Sequence, residues 1–402
     1  MNQKAAKTPS YAWVVLFAVY IATLAAPMNQ FKVPPMMTTL QELFKMSDSS
    51  AGNLMSVFSI MGFILAIPAG FILKRFGIKL TILCAVGALA IGATLGAISD
   101  TQGLLSFGRF VEGVGMGLVM VAAPAAISVW FPAERRAYPM GLWASCVGVG
   151  SMGMLNLAPV LAEAYGWRSV WWTGAGFAAL GFVVFALLFR LPKPEEMPES
   201  PGRPGTQTGP ESTPSIGSAM ANRNLWLLTV EFMCFNLVIM ALNSFYPKFL
   251  ETELQYSKSR AAFLTSLMML IAIFSGPAGS YLSDRLRSRK ALIVAPFIIT
   301  TVCYLFPFSI TGWMIPAYMI LVGIVMGPIA PVTLAAVPEI MPSPAVIGIG
   351  LGVAALGQNL GMYIGPVLFG SLLETTTWSV AGYAMIPICV IAVIAGWLTK
   401  IR

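Results

Sequence analysis

Residues 47–75, SDSSAGNLMSVFSIMGFILAIPAGFILKR, return as residues 257–285, SKSRAAFLTSLMMLIAIFSGPAGSYLSDR. At a constant offset of 210, Ser47, Ser49, Ala51, Leu54, Ser56 and Arg75 become Ser257, Ser259, Ala261, Leu264, Ser266 and Arg285. The same offset carries Gly113, Met116 and Gly117 onto Gly323, Met326 and Gly327. At 207, the run Ala158-Pro159-Val160-Leu161 returns as Gly365-Pro366-Val367-Leu368. A register held this far through an apolar chain reads as a duplicated membrane bundle. Such duplications place a binding site at the interface of the repeats and rock the halves around it, so the expected activity is transport.

Composition agrees: 57% of the chain is hydrophobic and 10% charged, with mean hydropathy +0.80, against roughly 25% charged residues in a soluble domain. Twelve apolar runs are long enough to cross about 30 Å of hydrocarbon as helices. They lie near 11–36, 51–73, 80–98, 104–130, 138–162, 170–189, 225–249, 259–282, 291–309, 314–337, 346–373 and 380–398. The expectation is an all-α membrane protein with twelve transmembrane helices in two pseudo-symmetric six-helix bundles, residues 1–190 and 225–402. Between them, 191–224 hold Pro192, Pro194, Pro198, Pro201, Pro204, Pro210 and Pro214 among Ser, Thr, Gly and Glu. That composition cannot bury a core and reads as a flexible cytoplasmic linker. The polar residues 1–10 precede an apolar run too long for a signal-peptide core, so the first span is expected to stay as an anchor.

The net charge of +8 is not a nucleic-acid signal. With both termini in the cytoplasm, most of the 24 Lys and Arg fall on cytoplasmic segments, among them Lys74, Arg75, Lys79, Arg135, Arg136, Arg285, Arg287, Arg289 and Lys290. This is the positive-inside bias, and the excess reports topology. The expected location is a bacterial inner (plasma) membrane. The 5 cysteines, Cys84, Cys146, Cys234, Cys303 and Cys389, lie in different spans, and the chain has no histidine. No metal site is expected, the cysteines read as small buried hydrophobes, and proton transfer would have to use carboxylates.

The loop after the second span, Gly70-Phe71-Ile72-Leu73-Lys74-Arg75-Phe76-Gly77-Ile78-Lys79, is similar to the G-x-x-x-D-R-x-G-R-K loop of the major facilitator superfamily. Ser280-Tyr281-Leu282-Ser283-Asp284-Arg285-Leu286-Arg287-Ser288-Arg289-Lys290 holds the same place in the second half. The fourth span carries Gly108-Arg109-Phe110-Val111-Glu112-Gly113-Val114-Gly115, which resembles that family's R-x-x-x-G-x-G helix motif. The run Asn29-Gln30-Phe31-Lys32-Val33-Pro34-Pro35 is loosely similar to the cyanate- and nitrate-transporting branches. The resemblance covers the chain apart from the linker and implies the major facilitator fold. It also implies a gate built on the two loops, here Lys74, Arg75, Asp284 and Arg285. The loop carboxylate that closes a charge lock in the family is Lys74 here, so such a lock could form only around Asp284. Ala158-Pro159 stands where proton antiporters carry Gly-Pro, which argues against a drug antiporter.

Polar residues in the spans supply the functional candidates, because charges inside hydrocarbon cost at least ~2.5–3.5 kcal/mol each. The third, sixth, ninth and twelfth spans hold almost none. Asn29 and Lys32 share a face of the first span. Lys32 is either a snorkelling interface lysine or a charge that draws an anion into the cavity. Arg109 and Glu112, three apart, form either a structural ion pair or a substrate and proton-coupling pair. Glu231 has no basic neighbour on its own span: it is a proton carrier, the partner of a base elsewhere, or a carboxylate without a role. Asn236, Asn243 and Tyr246 of the seventh span, with Gln358 and Asn359 of the eleventh, are either substrate contacts or inter-helix hydrogen bonds. Tryptophans such as Trp130, Trp167, Trp171 and Trp378 near span ends suit an interface belt.

Together these features predict a secondary transporter, not an enzyme, that moves a small organic or inorganic anion by alternating access with protons, as a monomer in the lipid bilayer. No nucleotide-binding loop is present and no cofactor is expected. The alternative is a proton-coupled exporter of lipophilic cations, which Lys32 and Arg109 would repel. A non-transporting receptor on the same fold would be expected to carry a large signalling tail.

Overall fold

In hydrocarbon, backbone N–H and C=O groups must be satisfied within the segment, which leaves helices as the way to span it. The structure, a computed structural model, describes residues 9–66, 68–132, 137–193, 220–286, 288–341 and 346–401. The first half contains α1 (Tyr11–Gln30), α2 (Met37–Phe44), α3 (Asp48–Leu65), α4 (Pro68–Ala97), α5 (Gln102–Trp130), α6 (Ala137–Tyr165) and α7 (Arg168–Leu188). The second contains α8 (Arg223–Thr252), α9 (Lys258–Leu286), α10 (Arg289–Cys303), α11 (Met314–Met326), α12 (Ile329–Ile340), α13 (Ile347–Thr375), α14 (Trp378–Tyr383) and α15 (Ile386–Leu398). Most of the expected linker, 194–219, lies outside the described residues.

Among the described residues, ten helical stretches are long and apolar enough to cross a membrane. The other two expected spans are α3, 18 residues with a polar first turn, and α10, 15 residues. Three spans depart from simple rods. The loop expected after the second span shrinks to Gly77, whose φ of 77° lets α4 run almost directly into the third span. The first span ends at Gln30, and the chain turns through Pro34–Met36 into the short α2. The tenth span is divided at Gly327-Pro328 into α11 and α12, although both residues keep helical dihedrals.

The sequence repeat becomes a repeat of contacts. Ser47 caps α3 by accepting from Ser50 N–H at 3.2 Å; its counterpart Ser257 accepts from Arg260 N–H at 3.4 Å. A Cβ on Gly113 would sit 2.5 Å from the Phe58 carbonyl oxygen, and one on Gly323 would sit 2.7 Å from that of Met268. Phe58 and Met268 are themselves 210 apart. The glycines therefore bring α5 onto α3 and α11 onto α9 by one packing solution used twice. Ser56 and Ser266, another repeat pair, both reach the opposite half. Ser56 Oγ donates to the Tyr363 carbonyl at 2.6 Å, and Asn156 Nδ2 donates to Ser266 Oγ at 2.9 Å.

Each half has its own apolar interior, with Val15, Leu89, Ala126 and Phe185 in the first and Leu228, Phe232, Ile293 and Val332 in the second. The layer between them is rich in methionine: Met28, Met36, Met55, Met154, Met240 and Met268 belong to one continuous cluster. Unbranched thioether side chains repack at low cost, so this layer is the most deformable part of the interior.

Candidate functional site

The residues that carry charge into the first bundle converge. α1 ends at Gln30, leaving its last carbonyls without helical partners. Arg109 of α5 supplies them: Nη1 donates to Asn29 O at 2.6 Å, and Nη2 reaches Gln30 O at 3.5 Å. Its Nε donates to Leu54 O of α3 at 3.3 Å. Glu112, one turn along α5, lies between two cations. Its Oε2 accepts from Arg109 Nη1 at 2.6 Å and its Oε1 from Lys32 Nζ at 2.5 Å. Lys32 Nζ also donates to Asn29 Oδ1 at 2.8 Å, while Asn29 Nδ2 donates to Ala25 O at 2.9 Å and Gly174 O at 3.3 Å.

Asn29, Lys32, Arg109 and Glu112 are all fully buried, at 0% exposure. Lys32 does not snorkel; the salt bridge and the amide hold it inside the bundle. Trp171 of α7 covers it, with Nζ 5.0 Å from the ring, and Phe58 covers Arg109 at 4.5 Å. Trp171 is therefore a buried lid over a lysine and not part of an interface belt. Gly92 of α4 makes the room: a Cβ there would sit 2.6 Å from Glu112 Cγ. Two formal cations around one carboxylate leave the cluster with an excess positive charge in a low-dielectric interior.

The cluster is tied to the interface by the chain that follows it. Val33, Met36 and Met37, directly after Lys32, are buried in the methionine layer with residues of the second half. Beyond them the bundles are clasped at the end away from the chain termini. Thr38 Oγ1 donates to Glu251 Oε2 at 2.9 Å, Lys258 Nζ to Thr39 Oγ1 at 2.6 Å, and Ser49 N–H to Glu374 Oε1 at 2.9 Å. Lys248 pairs with Asp48, which also accepts from Gln41 Nε2 at 2.8 Å. The sequence reading missed these clasp residues. A signal was present: in an otherwise kept register, Asp48 corresponds to Lys258 at the 210 offset, an inversion of charge.

The remaining candidates do not join the cluster. Asn236 Nδ2 donates to Phe232 O at 2.8 Å and Asn243 Nδ2 to Ile239 O at 3.0 Å, each on its own helix. Asn243 Oδ1 is buried without a hydrogen-bond partner among the described residues. The Tyr246 hydroxyl donates to Pro307 O at 3.1 Å, inside the second half. Asn359 donates to Ala355 O at 2.9 Å and abuts Gly62 of the other bundle; Gln358 beside it is half-buried. Lys74, Arg75 and Arg285 are exposed, and the side chain of Asp284, on which the lock was expected to rest, lies outside the described residues. Glu231 is buried in the second bundle, where Thr333 Oγ1 donates to its Oε2 at 3.1 Å. Among the described residues, no group of His, Cys, Asp and Glu could hold a metal ion.

Two helical bundles built on one repeat, clasped at one end around a soft apolar layer, have the architecture of a duplicated helical membrane protein. The family model of the Major Facilitator Superfamily matches residues 19–346 and 232–402, and the chain belongs to that superfamily. It is 26% identical over 293 residues to the "Probable anion transporter 4, chloroplastic" of Oryza sativa subsp. japonica, an alignment covering 70% of this chain and 49% of that protein. It thus spans about half the length of that relative. It is 24% identical over 327 residues to the nitrite extrusion protein of Bacillus subtilis (strain 168), covering 81% of this chain and 78% of the relative. In structure it resembles a bacterial homolog of the human lysosomal transporter Spinster in an inward-facing, occupied conformation. That match has a TM-score of 0.76 at 18% identity and covers 97% of this chain and 96% of the other. Neither named relative supports the lipophilic-cation alternative.

Proposed function

We propose that this transporter carries a small anion, organic or inorganic, by alternating access with a proton as companion, working as a monomer in a bacterial inner membrane with its termini in the cytoplasm. The observation that carries the proposal is the Glu112 carboxylate held between Lys32 and Arg109 with the Asn29 amide beside them. Chemically this is an anion site occupied by the protein's own anion. A substrate anion that displaces Glu112 from Lys32 and Arg109 sets its carboxylate free, and a proton taken up there cancels the displaced charge. The substrate anion then lowers the cost of keeping those cations buried. The names of the two relatives, an anion transporter and a nitrite extrusion protein, support the sign of the cargo.

Access follows from the connection of Lys32 to the interface. While the clasp is shut, Val33, Met36 and Met37 bury the chain next to Lys32 against the second half. Parting the bundles at that end removes this cover. Glu112 recaptures Lys32 once the anion and the proton have left, and the empty protein returns.

The test is a thermal-stability screen of purified protein against nitrate, nitrite, small carboxylates, inorganic phosphate and a lipophilic cation, followed by uptake into proteoliposomes with and without a pH gradient. Stabilisation by anions, with accumulation that needs the pH gradient, is expected. Stabilisation by the lipophilic cation alone would overturn the reading.

A further inference from the structure

The second bundle holds a buried carboxyl that the anion cluster does not use. Glu231 of α8 is fully buried, and Thr333 Oγ1 is a hydrogen-bond donor to its Oε2 at 3.1 Å. Its Oε1 is equally buried and has no hydrogen-bond partner among the described residues. The walls are apolar. Gly396 of α15 comes within 4.0 Å of Glu231 Cγ, counted from a Cβ placed on that glycine, and within 3.2 and 3.3 Å of Val294 and Ile293 of α10.

No base reaches this carboxyl among the described residues. On α10, Arg289 bonds Glu339 of α12 at 2.7 Å, and Lys290 lies 5.3 Å over the Trp397 ring. α15 carries no charged residue, and its titratable group is Cys389. On α8 the titratable neighbour one turn along is Cys234.

We propose that Glu231 is a proton-binding site of the second bundle, separate from the anion cluster, with Thr333 as its positioning residue. A carboxylate sealed there would be a buried charge without a counter-ion, and a proton on Oε1 removes that charge and needs no other ligand. A metal cation does not fit: hard cations such as calcium take roughly six to eight oxygens, and here one carboxyl and one hydroxyl converge. The proton has a mechanical outlet as well. Thr333 stands on α12, shortly after Gly327-Pro328, where it is divided from α11. Loss of the proton requires α12 or α15 to yield so that water or a partner can reach Glu231, and Pro328, which lacks a backbone N–H, weakens the helical ladder between α11 and α12. Its role in coupling rests on the transport reading above; the binding of the proton does not.

The experiment compares wild type with Glu231→Gln and Thr333→Val as full-length protein in detergent, scanning thermal stability from mildly acid to alkaline pH, with and without sodium. Wild type is expected to lose stability as pH rises, because the folded bundle holds a proton that the unfolded chain releases. Glu231→Gln should flatten that loss while keeping the wild-type shift on adding nitrate. Infrared spectra should show a protonated carboxyl band that is absent in Glu231→Gln and moved in Thr333→Val. Equal pH slopes in wild type and Glu231→Gln, or a slope that sodium abolishes, would overturn the proposal. Should Glu231→Gln fail to fold, an unmoved carboxyl band in Thr333→Val would do the same. Loss of the nitrate shift in wild type, with the pH slopes as expected, would count against the anion reading alone.

Discussion

Glu112→Gln keeps the shape of the side chain and removes the anion between Lys32 and Arg109. Glu112 meets them at 2.5 and 2.6 Å, with all three side chains fully buried. Removing one partner of a buried pair costs about 3–5 kcal/mol because the other charge is stranded, and here two cations are stranded together. Lys32→Met should be milder. It leaves Arg109 on Glu112, cancels the formal excess charge and forfeits the lysine's two charge-assisted hydrogen bonds, to Glu112 and to Asn29, about 1.5–3 kcal/mol each, offset because no lysine need be desolvated. In the double variant the two losses should fall short of their sum by about 0.5–3 kcal/mol, since both act on one contact. Thermal stability in detergent gives the order: wild type, Lys32→Met, Glu112→Gln. Anion titration then separates a structural pair from a binding site. Nitrate should bind Glu112→Gln at least tenfold more tightly than wild type, and Lys32→Met at least tenfold more weakly, about 1.4 kcal/mol each way. Equal stability of the two single variants, with anion affinity unchanged in both, would refute the reasoning.

Three further outcomes follow from the contacts. Asp48→Asn or Lys248→Met should loosen the clasp, so that a cysteine placed at the buried Met37 is labelled faster; an unchanged rate would deny the clasp a gating role. Gly113→Val and Gly323→Val should each destabilise by about 1–3 kcal/mol, and by similar amounts, because each drives a Cβ against the carbonyl of a repeat-related residue. Trp171→Ala should cost about 3–5 kcal/mol and open Lys32 to water, detected as faster modification by an amine reagent; protection equal to wild type would mean that another group covers the lysine.

The architecture was legible in the order of residues alone. Spans, repeat and motif positions are local or periodic quantities: an apolar run long enough to cross the bilayer must be a helix there, and a register of 210 between halves imposes equivalent contacts, as Gly113 and Gly323 display. The same order also made Lys32, Arg109, Glu112 and Glu231 conspicuous, since charge in an apolar span is costly. What each charge touches was decided by tertiary structure. Lys32 and Glu112 are 80 residues apart, and only the packing of α1 on α5 turns a lysine that could have snorkelled into a buried counter-ion. Trp171 reads as an interface residue until α7 lays it over Lys32. Asp48, Lys248 and Glu251 lie at span ends where charge is unremarkable, and they become a clasp because the two bundles bring those ends together. Helices follow from the chain's own backbone and its solvent; partners across bundles depend on how rigid surfaces fit, which no local pattern encodes.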